Sequence, residues 1–318
     1  MKYIPTAAAL ALCLSLPAHA IVGGTLDPNT ADSPWAGVGA ITVNGNTFSG
    51  ALIGSQYVLT AAHVVNGASA GDVSFVLNAG GSPQTLTVES ITVFPGFTGT
   101  IPNEFTGVWH DDLAIVKLAA PVSGVPIYSL YGNDDLTAQT ITMVGYGGTG
   151  NGTDGVTAGA NPNIKHVGQN RVDAALIDDE LIDENGEITE NGAKEVYVFD
   201  FDGPDPDSNV FFDNVAPNLT LGAGIEAQYA GGDSGSPVFV DDGGVIKLAG
   251  IATFNGRIDD TSDLPGGNVL FGAIGGGTII GSYIPWIQDT ITPVPEPGAW
   301  LMMLAGLGLL GMKIRRNA

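Results

Sequence analysis

Gly231-Gly232-Asp233-Ser234-Gly235-Ser236-Pro237 sets a serine and an aspartate inside a run of glycines. Glycine lets the backbone turn tightly and brings amide N–H groups close to whatever approaches the serine. A serine that attacks an acyl carbon needs a base beside it, a carboxylate that orients the base, and donors for the oxyanion. Read alone, the heptad is equally an ordinary turn, so its meaning depends on the rest of the chain. Leu59-Thr60-Ala61-Ala62-His63 supplies a histidine after small residues that permit close packing. Asp112-Leu113-Ala114-Ile115-Val116-Lys117-Leu118 supplies an aspartate at the start of an apolar strand. Such an aspartate is buried only if it is hydrogen-bonded or paired, and a histidine N–H is a suitable partner. Asp111 competes for that role, but Asp112 directly precedes the strand.

Around these segments the chain reads as β structure. Strand-length apolar or alternating runs occur at Trp35 to Val43, Tyr57 to Thr60, Val73 to Leu77, Thr85 to Phe94, Leu113 to Leu118, Ile141 to Val144, Pro237 to Val240 and Val245 to Ala252. Turn residues such as Asn44-Gly45 and Asp242-Gly243-Gly244 separate them. Helical pattern is scarce until Tyr283 to Ile291, which predicts one short terminal helix. Between about Gly147 and Asn218 the composition turns Gly/Asn/Thr-rich and then acidic, which predicts an insertion or long loop on a β scaffold. Within it, the carboxylates from Asp200 to Asp207 suit a hard cation such as calcium, but their spacing is not that of an EF-hand and a solvated loop is the preferred reading.

The 318 residues carry a formal net charge of -23, which repels nucleic acid and anionic membrane surfaces and otherwise serves solubility. Lys2, an apolar run from Ala7 to Leu16, and Ala18-His19-Ala20 form a secretory signal peptide with its small-x-small cleavage site, assigned to residues 1–20. The single cysteine, Cys13, leaves with it, which excludes cysteine catalysis, zinc-thiolate sites and intramolecular disulfides from the mature chain. At the other end, Val294-Pro295-Glu296-Pro297 precedes an apolar stretch, 298–312, and the basic Lys313-Ile314-Arg315-Arg316. The stretch is short for an ordinary membrane span. This tail, residues 292–318, resembles the PEP-CTERM sorting signal of Gram-negative bacteria. The resemblance implies transient anchoring in the inner membrane and processing by an exosortase-type enzyme, with delivery to the periplasm, cell surface or extracellular matrix. A permanent transmembrane tail anchor is the alternative.

The heptad, the histidine and the aspartate follow one another in the order His, Asp, Ser, and together they resemble the chymotrypsin/trypsin-like serine protease family. Ile21-Val22-Gly23-Gly24 resembles the family's activated N-terminus, Val144-Gly145-Tyr146-Gly147 its Gly-aromatic-Gly strand, Ala249 to Phe254 the strand lining its primary pocket, and Tyr283-Ile284-Pro285-Trp286-Ile287 its terminal helix. The resemblance implies two six-stranded antiparallel β-barrels, 21–135 and 136–291, with the site in the cleft between them. It implies a serine endopeptidase acting on protein or peptide substrates, with His63, Asp112 and Ser234 as triad. The N–H groups of Gly232 and Ser234 would form the oxyanion hole, and the Ile21 amine would pair with Asp233. The signal-type cleavage site abuts Ile21, so signal peptidase itself would activate the enzyme. No organic cofactor and no metal is required.

Departures from the family pattern carry their own expectations. Phe48 and Val64 stand where many relatives have a disulfide, and Ala230 replaces a usual cysteine. Gln228, six residues before Ser234, replaces the trypsin aspartate and cannot pair with Arg or Lys. It would line the specificity pocket with Thr253, Phe254 and Asn255, and the Thr253 hydroxyl would donate near the triad aspartate. The rival function is a catalytically silent, protease-like surface or matrix-binding protein.

Overall fold

The computed structural model describes residues 19–77, 82–99, 111–177, 181–182, 188–189, 192–210, 219–222, 224–256 and 269–292. Most of the signal segment, the sorting tail with its apolar stretch, and parts of the acidic region lie outside the described residues. Among the described residues no helix is long and apolar enough to cross a membrane.

The first half is a barrel. Strands β1 (Val38–Val43), β2 (Asn46–Gly54), β3 (Tyr57–Thr60), β4 (Val73–Leu77), β5 (Gln84–Val93) and β6 (Ala114–Leu118) close in the order β1-β2-β3-β6-β5-β4. The β1–β2 hairpin turns at Asn44-Gly45, both at positive φ, as a tight two-residue hairpin demands. Closure pairs every strand and leaves no edge, while the inward faces pack Ile41, Leu52, Leu59, Phe75 and Val116 into one buried cluster.

The second half is built from β7 (Thr140–Gly145), β8 (His166–Arg171), β9 (Lys194–Asp200), β10 (Pro237–Asp241), β11 (Ile246–Gly256) and β12 (Ile274–Ile279). Their ladder order is β9-β12-β11-β10-β7-β8, extended at its ends by Ala174–Ile177 beside β9 and Thr25–Leu26 beside β8. The two ends of this sheet meet along one bent segment: two residues after β8 the chain runs into Ala174–Ile177, which forms a ladder with β9, and at the bend the buried Asn170 Nδ2 donates to the carbonyls of Asp200 (2.7 Å) and Ala227 (3.0 Å) while Asp173 N donates to Val198 O (2.9 Å).

The region from 147 to 218 corrects the expectation of an insertion or long loop. It contains β8 and β9, two integral strands of the second barrel, as well as the short strands Thr149–Asn151 and Gly155–Ala158. β8, His166 to Arg171, is mostly polar, and the apolar run Val196-Tyr197-Val198-Phe199 of β9 lies within an acidic stretch. β12 is illegible for another reason, since Ile274-Gly275-Gly276-Gly277-Thr278-Ile279 has no strand-like pattern. Tertiary packing imposes the glycines: a Cβ on Gly276 or Gly277 would lie 2.2 Å from Tyr197 O or 1.9 Å from Ile251 O.

The two halves share a core. Val144, Tyr146, Phe239 and Leu248 of the second half pack into the first barrel's cluster. Phe239 lies 4.9 Å from Trp35 and 4.6 Å from Tyr128, ring centre to ring centre. The helix Ile284–Ile291 follows a 3-10 turn, Ile280–Tyr283, and returns to the first half, where Trp286 and Tyr283 meet Phe94 edge to face.

A buried cation ties the same seam. Lys165, 1% exposed, donates from Nζ to Trp35 O (2.8 Å) and lies 3.2 Å from Asp27 Oδ1. Burial holds the Lys165 ammonium below its ordinary pKa against the pull of Asp27. Removing one partner of a buried pair strands the other charge. Lys165→Met is expected to destabilise the chain by about 3–5 kcal/mol in urea unfolding at pH 7, and a loss under about 1 kcal/mol, the level of an exposed pair, would show that the pair holds nothing.

Candidate active site

His63 sits in the four-residue helical turn Ala62–Val65, at the end of β3. Asp112 sits two residues before β6, the neighbour of β3. Barrel pairing therefore brings together two side chains 49 positions apart. Asp112 is fully buried; its Oδ1 accepts the His63 backbone N–H at 2.8 Å and its Oδ2 lies 2.6 Å from His63 Nδ1. The first contact fixes the position of the turn and the second fixes the ring. Asp111 plays a different part. At φ 53 it turns away, and its Oδ1 accepts the Tyr283 hydroxyl at 2.8 Å.

The glycine-rich heptad arrives from the second barrel and docks on the first. Ser49 N donates to Ser234 O (3.0 Å), and Ser49 Oγ donates to Gly232 O (3.2 Å). At Gly235, with φ 79, an added Cβ would lie 2.1 Å from Thr60 Oγ1 and 3.2 Å from Ala61 N. Ser234 is thus held beside the Thr60–His63 segment, half-buried. Among the described residues no group accepts a hydrogen bond from the N–H of Gly232 or of Ser234, whereas the N–H groups of Asp233, Gly235 and Ser236 are all engaged.

Asp233 shapes this loop. Its carboxylate is fully buried, accepts N–H groups from Gly147 (2.9 Å) and Ala230 (3.0 Å), and lies 3.5 Å from Ser236 Oγ. Burial pushes its pKa up to about 7, with those hydrogen bonds opposing. Ile21 and Val22 are fully buried; Val22 pairs with Gln228, and Ile21 packs in one cluster with Ala227. Ile21 itself has φ 50, a region strained for a β-branched residue.

The expected pocket residues cluster in part. Gln228 is fully buried; its Nε2 donates to Ala273 O (3.1 Å) and its Oε1 accepts Tyr229 N (2.8 Å). A Cβ on Gly275 would lie 2.1 Å from that oxygen, so the amide lies folded beneath β12. Asn255 Nδ2 reaches across to Tyr229 O at 2.7 Å. Phe254 lies against Gly276. Thr253 corrects the expectation: it stands at a bulge in β11 and gives Asp112 no hydrogen bond, while Thr278 Oγ1 lies 3.5 Å from the Asp112 carbonyl. Phe48 packs against the apolar cluster that buries Val64, and Ala230 packs with Val22 and Phe201.

Two residues carry no signal in the sequence. Ser49 clamps both barrels, since its Oγ also accepts Tyr146 N at 3.0 Å. Tyr229 bonds the Tyr197 hydroxyl at 2.9 Å beneath the pocket. Neither has a local pattern, because a lone serine on a strand and a lone tyrosine have many uses.

The fit around Asp233 is close enough to test. A Cβ on Gly147 would lie 2.3 Å from its carboxyl carbon, whereas one on Gly71 meets nothing within 4 Å. Gly147→Ala is expected to cost about 1–3 kcal/mol in urea unfolding, with Gly71→Ala near neutral as the control; equal effects would remove the steric argument.

Comparison with known proteins agrees with this geometry. Residues 293–317 match the PEP-CTERM protein-sorting motif. The complement C1s subcomponent of cattle is 34% identical over 99 residues, covering 30% of this chain and 13% of that protein. The chain thus spans far less than two thirds of that relative. The structure of neuropsin, a serine protease expressed in the limbic system of mouse brain, superposes with a TM-score of 0.54 at 18% identity, covering 86% of this chain and all of that one; at that identity the likeness concerns the fold. The trypsin family model matches residues 21–193, more than half of the chain and inclusive of His63 and Asp112, with Ser234 lying beyond it. The chain belongs to the trypsin family.

Proposed function

We propose that this chain is an exported serine endopeptidase that forms an acyl-enzyme on Ser234. The observation that carries the reading is the 2.6 Å contact between His63 Nδ1 and the buried Asp112 Oδ2, beside the docked Gly231–Ser236 loop. A proton held on Nδ1 by Asp112 leaves a lone pair on Nε2, the nitrogen that acts as base. Nε2 takes the Ser234 Oγ proton as Oγ attacks the peptide carbonyl. The carbonyl oxygen becomes an oxyanion, for which the uncommitted N–H groups of Gly232 and Ser234 are suited donors. His63 returns the proton to the leaving amine, and the peptide C–N bond breaks. Water then repeats the sequence: His63 takes its proton, hydroxide attacks the ester, and Ser234 leaves with the proton restored. The neutral, internally bonded Gln228 gives Arg or Lys no ion pair in the primary pocket.

A fluorophosphonate probe is expected to label the purified chain on Ser234, with Ser234→Ala folded but unlabelled and inactive against peptides. Equal labelling of that variant would exclude Ser234 as nucleophile, and an unlabelled parent would favour the silent binding protein.

Processing fits the same reading. The residue strained at φ 50 is the one that follows the signal-type cleavage site, Ala18-His19-Ala20. Cutting the Ala20–Ile21 bond frees that torsion, worth about 1–3 kcal/mol, and creates an α-ammonium near buried Asp233. With the bond intact, the Asp233 carboxyl favours its neutral form. Its stabilising contribution is then complete below the unfolded value near 4 and is lost as pH rises through about 7. After cleavage the ammonium stabilises the ionised form and removes that loss. N-terminal sequencing of the active exported protein is expected to begin at Ile21, and the uncut chain is expected to lose stability relative to the cut chain as pH rises from about 4 to about 7. Active enzyme with another N-terminus would overturn the assignment.

A further inference from the structure

The acidic surplus of this chain is not confined to its surface. Asp173, Asp200, Asp202 and Glu226 are all buried, none more than 6% exposed, around the bend where Asn170 of β8 bonds to Asp200 and Ala227. Buried carboxylates are costly unless a cation compensates them. Among the described residues no Lys or Arg pairs with Asp173, Asp202 or Glu226. Backbone N–H groups orient the cluster: Asp202 N donates to Glu226 Oε2 (2.8 Å), Leu221 N to Glu226 Oε1 (2.7 Å), Val210 N to Asp200 Oδ2 (2.8 Å) and Asp200 N to Asp173 Oδ2 (3.1 Å). Asn209 Nδ2 lies 3.4 Å from Asp202 Oδ2. One carboxylate oxygen each from Asp200, Asp202 and Glu226 fall within 4.8 Å of one another. The remaining oxygen, Asp202 Oδ1, is buried with no hydrogen-bond partner.

We propose that Asp200, Asp202 and Glu226 form a calcium site that joins the end of β9 to the segment entering Gln228. The donors are all carboxylate oxygens, the choice of a hard cation, and no histidine or cysteine belongs to the group. Calcium accepts six to eight oxygens in irregular geometry, whereas magnesium demands a near-octahedral shell and retains several waters. A buried site whose carboxylates are already fixed by backbone N–H groups suits the first ion better. The site differs from the acidic run seen in the sequence. Asp205 is exposed, and Glu226 enters from 24 residues beyond Asp202.

Its place gives the ion a structural role. Gly23 lies against Glu226, since an added Cβ would be 2.6 Å from Glu226 O, and Val22 pairs with Gln228. A cation bridging Asp200, Asp202 and Glu226 clamps the wall on which the Ile21–Gly24 segment docks. The proposal does not depend on catalysis, so it is tested in the Ser234→Ala chain, where self-digestion is absent. After stripping with EDTA, titration with calcium chloride alone is expected to release or absorb heat with one site per chain and to raise the melting temperature by about 5 °C or more. Asp202→Asn and Glu226→Gln are expected to fold without calcium, having lost a repelling charge, and to bind calcium at least about tenfold more weakly. An unresponsive parent would overturn the proposal. Variants that respond as the parent does would overturn it too, and an equal shift with magnesium chloride would overturn the assignment to calcium.

Discussion

The carboxylate of Asp233 is shut away from water, and the loop that carries Ser234 takes its shape from satisfying it. Two backbone N–H groups and one hydroxyl converge on its oxygens. To let them converge, the chain at Gly145 and Gly147 must pass where an added Cβ would be 2.2 Å and 2.3 Å from the carboxylate. The Gly-Tyr-Gly strand end and the Gly-Asp-Ser-Gly loop are therefore one device, written in two places 86 residues apart. The tyrosine between the glycines completes it: Tyr146 donates from its hydroxyl to Val38 O (3.2 Å) and from its N–H to Ser49 Oγ. One buried carboxyl group thus fixes the loop of Ser234, the end of β7 and the seam between the barrels.

Each barrel has its own share of the work. The first is closed by a continuous ladder and holds His63 and Asp112 on neighbouring strands, so their distance is set by β-sheet spacing. The second supplies Ser234 from a loop, and its ends meet through the ladder of Ala174–Ile177 with β9, with the buried Asn170 bonding across the bend.

Net charge alone hides where the acidic groups sit. Much of the -23 is solvated, but Asp112, Asp173, Asp200, Asp202, Glu226 and Asp233 are buried. Burial converts a solubility feature into a set of demands for protons, N–H donors or cations. Asp112 meets its demand with His63, and Asp27 with Lys165.

The sequence by itself indicated the all-β class, five of the first barrel's six strands (all but β2), the terminal helix, and His63, Asp112 and Ser234 as a candidate set, because each of these is encoded within a few contiguous residues. The choice of Asp112 over Asp111 was legible from its place before β6, and the Asp112–His63 contact agrees with it. Tertiary structure alone decided the rest. β8 and β12 lack a pattern of their own: the first is mostly polar, and the second is a row of glycines whose necessity comes from Tyr197 and Ile251 across the sheet; β9 has the apolar run Val196-Tyr197-Val198-Phe199 but lies within an acidic stretch. Thr253 is the opposite case: its hydroxyl is expected to donate near Asp112, but among the described residues it makes no hydrogen bond to that aspartate, and it stands at a bulge that no local pattern announces. The Asp200–Asp202–Glu226 cluster and the Ser49 clamp unite residues 24 or more positions apart. Local sequence encodes strand periodicity and turn chemistry because they act over a few bonds; proximity across two barrels depends on how the whole chain closes, and that is a property of the fold.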